Sequence, residues 1–208
     1  MMSDPPTAQS TFDEFMKGSI APCFKDAGFR KRAGSFFREV PTCVQVANYQ
    51  KSSYSDRDDI RFTINVGVAS KRLWAFFNAG EAIPASFPEY KCHVRRRIGD
   101  LQGSGDTWWR LAPHSDVDSL RKEHQTAIGA TIIPWLDRYG SDRGLVELIL
   151  GGDHPPRGIP LYEAVLLHTP ETLSDFEVRE GEYRKLAATN GRMAWAMERL
   201  DEDRATWR

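Results

Sequence analysis

The sequence has no long apolar run, and this absence limits the classes of protein to which it can belong. No stretch of it approaches the roughly 18 to 20 unbroken apolar residues that a membrane helix needs. The N-terminal segment MMSDPPTAQSTFDEF also lacks the basic region and following apolar region of a secretory signal. We therefore expect a protein that has no membrane partner and that stays in the cytoplasm.

Cysteine and metal-binding motifs are also scarce. The three cysteines, Cys23, Cys43 and Cys92, are odd in number and far apart, which predicts reduced thiols rather than disulfides. The sequence contains neither an HExxH motif nor a paired Cys-x-x-Cys motif, so it predicts no metal site and no cofactor. It also lacks a G-x-S-x-G elbow and the lysine of a phosphate-binding loop, and no residue is assigned a catalytic role.

Net charge is close to zero, at −1, but the two halves of the chain differ. Residues 1–104 carry 15 basic and 11 acidic side chains, whereas residues 105–208 carry 13 and 18. A protein that coats nucleic acid would be strongly basic throughout, which this chain is not. A local basic patch in the first half is still compatible with the composition.

The clearest secondary-structure pattern is an alternation of residue types over residues 60–68. Apolar residues occupy every even position, and polar residues or glycine occupy the odd ones. This pattern predicts a strand with one face toward solvent. Apolar and aromatic runs predict three further strands, and the short connections favour antiparallel pairing. These runs lie at 35–40, 43–49 and 92–98.

Helical patterns precede and follow these strands. The first helix is predicted to begin near Ser10 or Thr11 and to end at Gly28. A second is predicted from a cap at Ser115 or Asp116 to Gly140, with a kink near Pro134. Further helices are predicted at 142–150, 160–168, 171–188 and 191–205.

The predicted fold class is α+β, with an N-terminal helix, an antiparallel sheet of about four strands and a helical C-terminal half packed on one face. Residues 1–9 are predicted to be a disordered tail because they contain Pro5 and Pro6 and few apolar residues. Residues 10–140 are predicted to form the α+β domain. Residues 141–208 are predicted to be a helical extension on the same body.

The polar positions of the predicted strands suggest a binding surface. If the strands at 43–49, 60–68 and 92–98 are neighbours, alternation places Gln45, Tyr49 and Thr63 on one face together with a set of cationic and amide side chains. Arginine side chains in such a set fit phosphate or carboxylate groups, whereas ordinary solvated alternation is the other interpretation. The candidate ligand-binding residues are Lys51, Arg61, Asn65, His93, Arg95 and Arg97.

Two aromatic segments allow further interpretations. The run from Phe29 to Arg38 interleaves aromatic and basic residues, which is typical of a surface for single-stranded nucleic acid; a basic turn after the first helix is the alternative. Trp108 and Trp109 follow a glycine-rich turn. We expect at least one of these two tryptophans to pack in the core.

Several short segments, in this order, carry a resemblance to a known family. They are Gly28-Phe29-Arg30-Lys31, Ser35-Phe36-Phe37-Arg38, Asn48-Tyr49-Gln50-Lys51-Ser52, Phe62-Thr63-Ile64-Asn65-Val66-Gly67-Val68, Arg97-Ile98-Gly99-Asp100-Leu101 and Trp108-Trp109. Across residues 11 to about 140 the sequence resembles the bacterial domain of unknown function 4304 family. The resemblance implies domain limits and a bacterial origin, and it carries no activity.

Two functional hypotheses follow from the sequence. The first is a non-catalytic binding or interaction module for a protein partner, with an immunity or defence-associated role as one example. The second is an enzyme or binder of a phosphorylated ligand or nucleic acid that uses the basic sheet face. A self-associating structural protein is a third, weaker interpretation.

Overall fold

The computed structural model describes residues 6–32, 34–151 and 161–207. These residues form two compact units. The first unit contains the described residues within 1–39, 44–68 and 85–137, and the second contains those within 40–43, 69–84 and 138–208. The fold class is α+β, as predicted, and each unit is described by itself below.

The first unit begins with two short helices, α1 (Ala8–Phe15) and α2 (Ala21–Asp26). The hydroxyl of Thr7 accepts a hydrogen bond from the backbone N–H of Ser10, at 3.2 Å, and so caps α1. The helix therefore begins about three residues before the predicted start near Ser10 or Thr11, because Thr7 supplies the capping oxygen.

A five-residue π-helical turn, Met16–Ile20, joins α1 to α2. Pro22 lies in the first turn of α2, where its missing N–H has no helical partner to lose. Gly28, with a left-handed φ of 84°, ends this helical segment as predicted.

The described residues contain one antiparallel sheet of six strands. Its order is β1-β2-β3-β4-β5, and β6 pairs with β4 beside β5. The two longest strands, β3 and β4, are internal, whereas the terminal strands have three or four residues. The strands are β1 (Arg30–Arg32), β2 (Ser35–Glu39), β3 (Cys43–Lys51), β4 (Ile60–Ser70), β5 (Val94–Arg97) and β6 (Trp109–Leu111).

Two helical segments complete the first unit. The short helix α4 (Ile98–Gln102) follows β5 directly. Helix α5 (Val117–Ala127) is capped by Asp116, as predicted, whose carboxylate accepts from the N–H of Ser119 at 3.0 Å. A π-helical turn (Ile128–Ile132) joins α5 to α6 (Ile133–Tyr139).

One face of the sheet packs against these helices through aromatic rings. Phe62 on β4 is fully buried, and its ring centroid lies 5.0 Å from that of Phe12 and 5.4 Å from that of His124 on α5. The rings of Tyr49 and Trp109 stack on Phe62 at 6.1 and 6.0 Å. We call this the helix-facing side of the sheet.

The opposite side, which we call the far face, is the one that carries Asn65. The sequence predicts that it is open to solvent, and this prediction is wrong for most of β4: of its 11 residues, only Arg61 is exposed. Three residues of the segment 85–92 contact this face: the ring of Phe87 packs against that of Phe37 on β2 at 6.0 Å, Glu89 pairs with Arg95, and Cys92 lies against Gly67. The strand is therefore buried on both sides.

The second unit is helical. Its helices are α3 (Lys71–Phe77), α7 (Asp142–Leu150), α8 (Leu161–Leu167), α9 (Leu173–Ala187) and α10 (Gly191–Ala205). Helix α10 packs on both α8 and α9, and Phe176, Tyr183, Met193 and Leu200 are buried there. The predicted helices at 171–188 and 191–205 are confirmed. Among the described residues, no helix combines the length and apolar character required to cross a bilayer.

Candidate functional site

Three of the six predicted site residues meet on the far face. In the antiparallel register of β4 and β5, Asn65 pairs with Arg97 and Gly67 pairs with Arg95. Residues paired in this way project to the same side of a sheet. The structure thus brings Asn65, Arg95 and Arg97 together, as the alternation predicted.

Asn65 is the centre of a hydrogen-bonded network. Its Nδ2 donates to Oε1 of Gln50 on β3 at 2.8 Å, and its Oδ1 accepts from Nη2 of Arg95 at 2.9 Å. The same nitrogen of Arg95 lies 3.2 Å from Oε1 of Glu89, a carboxylate that is itself buried. Removing one member would leave a buried partner without its hydrogen bond, so the network favours a single arrangement of these side chains.

Further polar pairs extend the network across the sheet. Asn48 pairs with Ser35 in the register of β3 and β2, and its Nδ2 donates to the Ser35 hydroxyl at 2.9 Å. The hydroxyl of Thr63 donates to the backbone carbonyl of Thr107 at 2.8 Å. The polar alternation in the sequence therefore marks side chains that satisfy one another rather than side chains that face water.

Arg97 lies at the edge of this network and makes two charge-dependent contacts. Its guanidinium forms an ion pair with Asp106, and its Cζ lies 5.4 Å from the ring centroid of Trp108. Trp108 Nε1 also donates to Asp106 at 3.0 Å. The hydrogen bond from Arg97, and then that from Trp108, lowers the pKa of the Asp106 carboxyl.

A close backbone approach positions the Asp106 loop. Gly99, in the first turn of α4, lies so near to Gly105 that a Cβ on Gly99 would fall 1.6 Å from the Gly105 carbonyl oxygen. The backbone N–H of Ser104 donates to the Gly99 carbonyl at 2.9 Å. Only glycine at position 99 permits this contact, which holds the loop where Asp106 meets Arg97.

Lys51 and Arg61 do not join the three residues. Lys51 Nζ donates to Gln9 Oε1 at 2.8 Å and lies 4.7 Å from the ring centroid of Phe12, which puts it on the helix-facing side. Arg61 lies at the start of β4, where its Nε is 3.7 Å from Asp59. The prediction that Lys51 belongs with Asn65 is wrong.

His93 precedes β5 in a bend and is half-buried. Burial lowers the pKa of its imidazole to about 4, which favours the neutral form near neutral pH. It is therefore not a cationic member of an anion site at that pH.

The placement of Gln45 and Tyr49 with Asn65 is also wrong. Tyr49 stacks on Phe62, and Gln45 Nε2 donates to the carbonyl of Leu136 at 2.6 Å, so both are on the helix-facing side. Even positions of β3, such as Gln50, share the far face with odd positions of β4. The turn between β3 and β4 decides which of their positions share a face, and the periodicity within each strand does not predict it.

The aromatic-basic run provides no stacking surface. Phe29, Phe36 and Phe37 are buried, whereas the basic residues at 30–32 form strand β1 and are exposed. The run therefore presents exposed cations without exposed rings, and its residues 30–32 form a strand rather than the predicted turn. Trp109 is buried in the core, as predicted for one of the two tryptophans, and Trp108 is 37% exposed.

Sequence reasoning missed the partners of the arginines. The network is completed by Gln50, Glu89 and Asp106, and no local sequence motif predicts them. Asp106 had one usable signal, its position two residues before an exposed tryptophan at the end of a glycine-rich turn. Glu89 had none, because residues 85–92 have no regular periodicity.

The described residues contain no group of three or more His, Cys, Asp or Glu side chains suited to hold a metal ion. Cys23, Cys43 and Cys92 are free thiols. Burial is the main reason that the pKa of Cys43 rises to about 12, which keeps it protonated and weakly nucleophilic.

The described residues thus form an antiparallel α+β fold with a buried polar network across one face of its sheet. The chain belongs to the family described as domain of unknown function (DUF4304), whose model matches residues 20–138. The match includes all six strands, the Asn65 network and the Arg97–Asp106 pair. No curated protein and no solved structure matches the chain.

Proposed function

We propose that the chain is a non-catalytic binding module and that a protein partner docks at the edge of the far face. The docking surface consists of Tyr90, Arg95, Arg97 and Trp108, and we call it the Trp108 rim. Tyr90 adjoins Glu89, which contacts Arg95, and Trp108 stacks with Arg97. Arg95 and Arg97 lie on the same side of β5, Trp108 lies against Arg97, and Tyr90 is next in sequence to the Glu89 that pairs with Arg95.

The residue types of the Trp108 rim favour a protein partner. Tyrosine, tryptophan and arginine are the residues that most often supply binding energy at protein interfaces. Tyr90 is 68% exposed and Trp108 is 37% exposed, so both present ring surface that a partner could cover. Trp108 is also held by Asp106 and Arg97, which lowers the entropy lost when it is immobilised in a complex.

The pairing of the two arginines argues against an anionic ligand. Arg95 contacts the Glu89 carboxylate and Arg97 contacts the Asp106 carboxylate. A phosphate would have to displace a carboxylate or to bind beside one, and both arrangements cost electrostatic energy. The neutralisation of both arginines by carboxylates is the observation that carries the proposal, because a phosphate-binding site would need unpaired cations.

The proposal includes a reducing bacterial cytoplasm as the setting, which the three free thiols support. An immunity or defence protein would use such a module to hold one specific partner. The resemblance to a bacterial family supports the origin.

Site-specific photo-crosslinking tests the proposal. A benzophenone amino acid replaces Trp108 in one sample and Tyr54 in a matched control, since Tyr54 is an aromatic residue that is 86% exposed and distant in sequence from the rim. In the native cells we expect a discrete crosslinked product from position 108 that weakens with Arg95→Ala, and none from position 54. Equal crosslinking at both positions would contradict a partner at the rim.

Fluorescence anisotropy tests the phosphorylated-ligand alternative. Labelled ATP and a labelled oligothymidylate are titrated at low and high salt against the native protein and against Arg95→Ala. We expect that neither probe binds the native protein in a way that weakens with salt and is lost in Arg95→Ala. Such binding would favour the anionic-ligand hypothesis instead.

A further inference from the structure

The outermost strand of the sheet carries only cations. Strand β1 is the first in the sheet order and pairs with β2 alone. Its residues Arg30, Lys31 and Arg32 are all exposed. The edge of β1 that faces away from β2 therefore has no neighbouring strand among the described residues, and three consecutive basic side chains flank it.

The cations lie on both sides of this edge. In the register with β2, Arg30 pairs with Phe37 and Arg32 with Ser35, so both arginines share the far face. Lys31 pairs with Phe36, whose ring stacks on Phe24 of α2, and therefore shares the helix-facing side. A strand added here would meet positive charge above and below its own plane.

The charges on β1 differ from those on β5 in their partners. Among the described residues, no carboxylate lies within ion-pair distance of Arg30, Lys31 or Arg32, whereas Arg95 and Arg97 each have one. The cations of β1 can therefore meet a new carboxylate without first losing an existing ion pair.

The edge is also held rigidly in position. Phe29, directly before β1, is buried against Phe24 with ring centroids 5.3 Å apart. The Arg38 guanidinium lies 4.6 Å from the centroid of the Phe29 ring and donates to the Ala27 carbonyl at 3.0 Å. A rigid strand loses little conformational entropy when a partner strand joins it.

We propose that the outer edge of β1 binds an acidic, extended segment of another protein by strand addition. Main-chain groups on the outer edge of β1 would form the ladder, and carboxylates at every second position of the added strand would lie on one face, where they can meet Arg30 and Arg32. This surface is separate from the Trp108 rim, and the inference does not depend on the proposed function.

Charge and burial distinguish this occupant from two others. A second copy of the chain would bring its own three cations to the edge, and like charges repel. Nucleic acid would gain the phosphate contacts but no base stacking, because the neighbouring rings of Phe29, Phe36 and Phe37 are buried.

Peptide binding to the full chain tests the inference. The probes are a short fluorescent peptide that alternates glutamate with valine, a version with proline in place of valine, and an oligothymidylate. We compare the native chain with the triple variant Arg30→Glu, Lys31→Glu, Arg32→Glu. The matched control is Lys17→Glu, Lys122→Glu, Lys185→Glu, which changes net charge equally at exposed positions outside β1.

We expect the glutamate-valine peptide to bind weakly, with an affinity that falls as salt rises, and the β1 variant to lose about tenfold or more of it. The control variant should lose less than about threefold. Hydrogen exchange at residues 30–32 should slow in the complex.

Three results would overturn the inference. They are equal losses in the two triple variants, equal binding of the proline peptide, which cannot form the ladder, and binding of the oligothymidylate alone. Circular dichroism of each variant establishes that the fold is retained before binding is compared.

Discussion

The two faces of strand β4 are both buried, but different forces stabilise them. The helix-facing side is an aromatic cluster around Phe62, which is stabilised mainly by the ring surface that it removes from water. On the far face, Asn65 is equally buried and is held by hydrogen bonds to Gln50 and Arg95. The difference teaches that a polar side chain at every second position can mark a satisfied internal network as well as a wet surface.

The comparison has an energetic consequence. The aromatic side gains from the apolar area that it removes from water, and that gain is large for each ring. The polar side gains little net energy for each hydrogen bond, since the same groups bond to water in the unfolded chain. We therefore expect substitutions on the aromatic side to cost more than substitutions on the polar side.

The largest loss is expected for Phe62→Ala. Removing a ring that contacts five other rings leaves a cavity, and the free energy of unfolding should fall by about 3 to 5 kcal/mol. Urea denaturation monitored by tryptophan fluorescence measures this change. Tyr54→Ala, at an exposed position, is the control and should cost less than about 0.5 kcal/mol. If Phe62→Ala lowered the free energy of unfolding no more than Asn65→Ala does, the aromatic side of β4 would not be the more stabilising one.

The next largest effect is expected from acid on the helix-facing side. Burial lowers the pKa of His124 to about 4, while in the unfolded chain the imidazole titrates near its ordinary value of 6.5. Above pH 6.5 both states are neutral there. As the pH falls from 6.5 toward 4, only the unfolded state takes up the proton, so stability falls, by on the order of 2 to 3 kcal/mol for this group.

Denaturation at several pH values between 7 and 4 measures this loss. His124→Phe keeps a ring in the aromatic cluster and removes the titrating group, so its stability should depend less on pH than that of the native chain. His114→Gln, at an exposed position, should leave the pH dependence unchanged. Identical pH profiles for His124→Phe and the native chain would show that the burial of His124 does not control acid stability.

A smaller loss is expected for Asn65→Ala on the far face. The substitution leaves the Gln50 amide and one hydrogen of Arg95 without a partner, and should cost about 1 to 3 kcal/mol. Asn48→Ala is the matched control, because it removes one hydrogen bond of a half-buried side chain and should cost about 1 kcal/mol or less. Thermal unfolding of the two variants ranks them, and the reverse order would disprove the central role of Asn65.

The smallest stability effect is expected at the Trp108 rim. The Arg97 and Asp106 side chains are 30% and 62% exposed, so Arg97→Ala should change the unfolding free energy by less than about 1 kcal/mol. Calorimetric melting of the variant measures it. A loss as large as that of Asn65→Ala would mean that the rim supports the fold rather than remaining available to a partner.

Local patterns were sufficient to predict the element types. The alternation at 60–68 predicted β4, Asp116 predicted the start of α5, and Gly28 predicted the end of the first helical segment. These features depend on residues close in sequence, where turn geometry and hydrogen-bond capping act directly. The same reasoning missed Thr7 as the first cap, because Ser10 and Thr11 offered equivalent hydroxyls.

The candidate site was predictable only in part. Asn65, Arg95 and Arg97 share a face because alternation and antiparallel pairing together fix their side. Lys51 was assigned to the wrong side, since the relation between β3 and β4 depends on the turn between them. The burial of the far face depends on residues 85–92, which pack through tertiary contacts that no local pattern encodes.

Each π-helical turn accommodates one extra residue within a helical segment. The turn at residues 16–20 contains one residue more than an α-helical turn, and deleting a single residue there would convert it to regular helix. Each residue of an α-helix turns the chain by about 100°. The wider turn takes up the rotation of its extra residue, so Phe15 before it and Phe24 after it are both buried, and Phe24 stacks on Phe36.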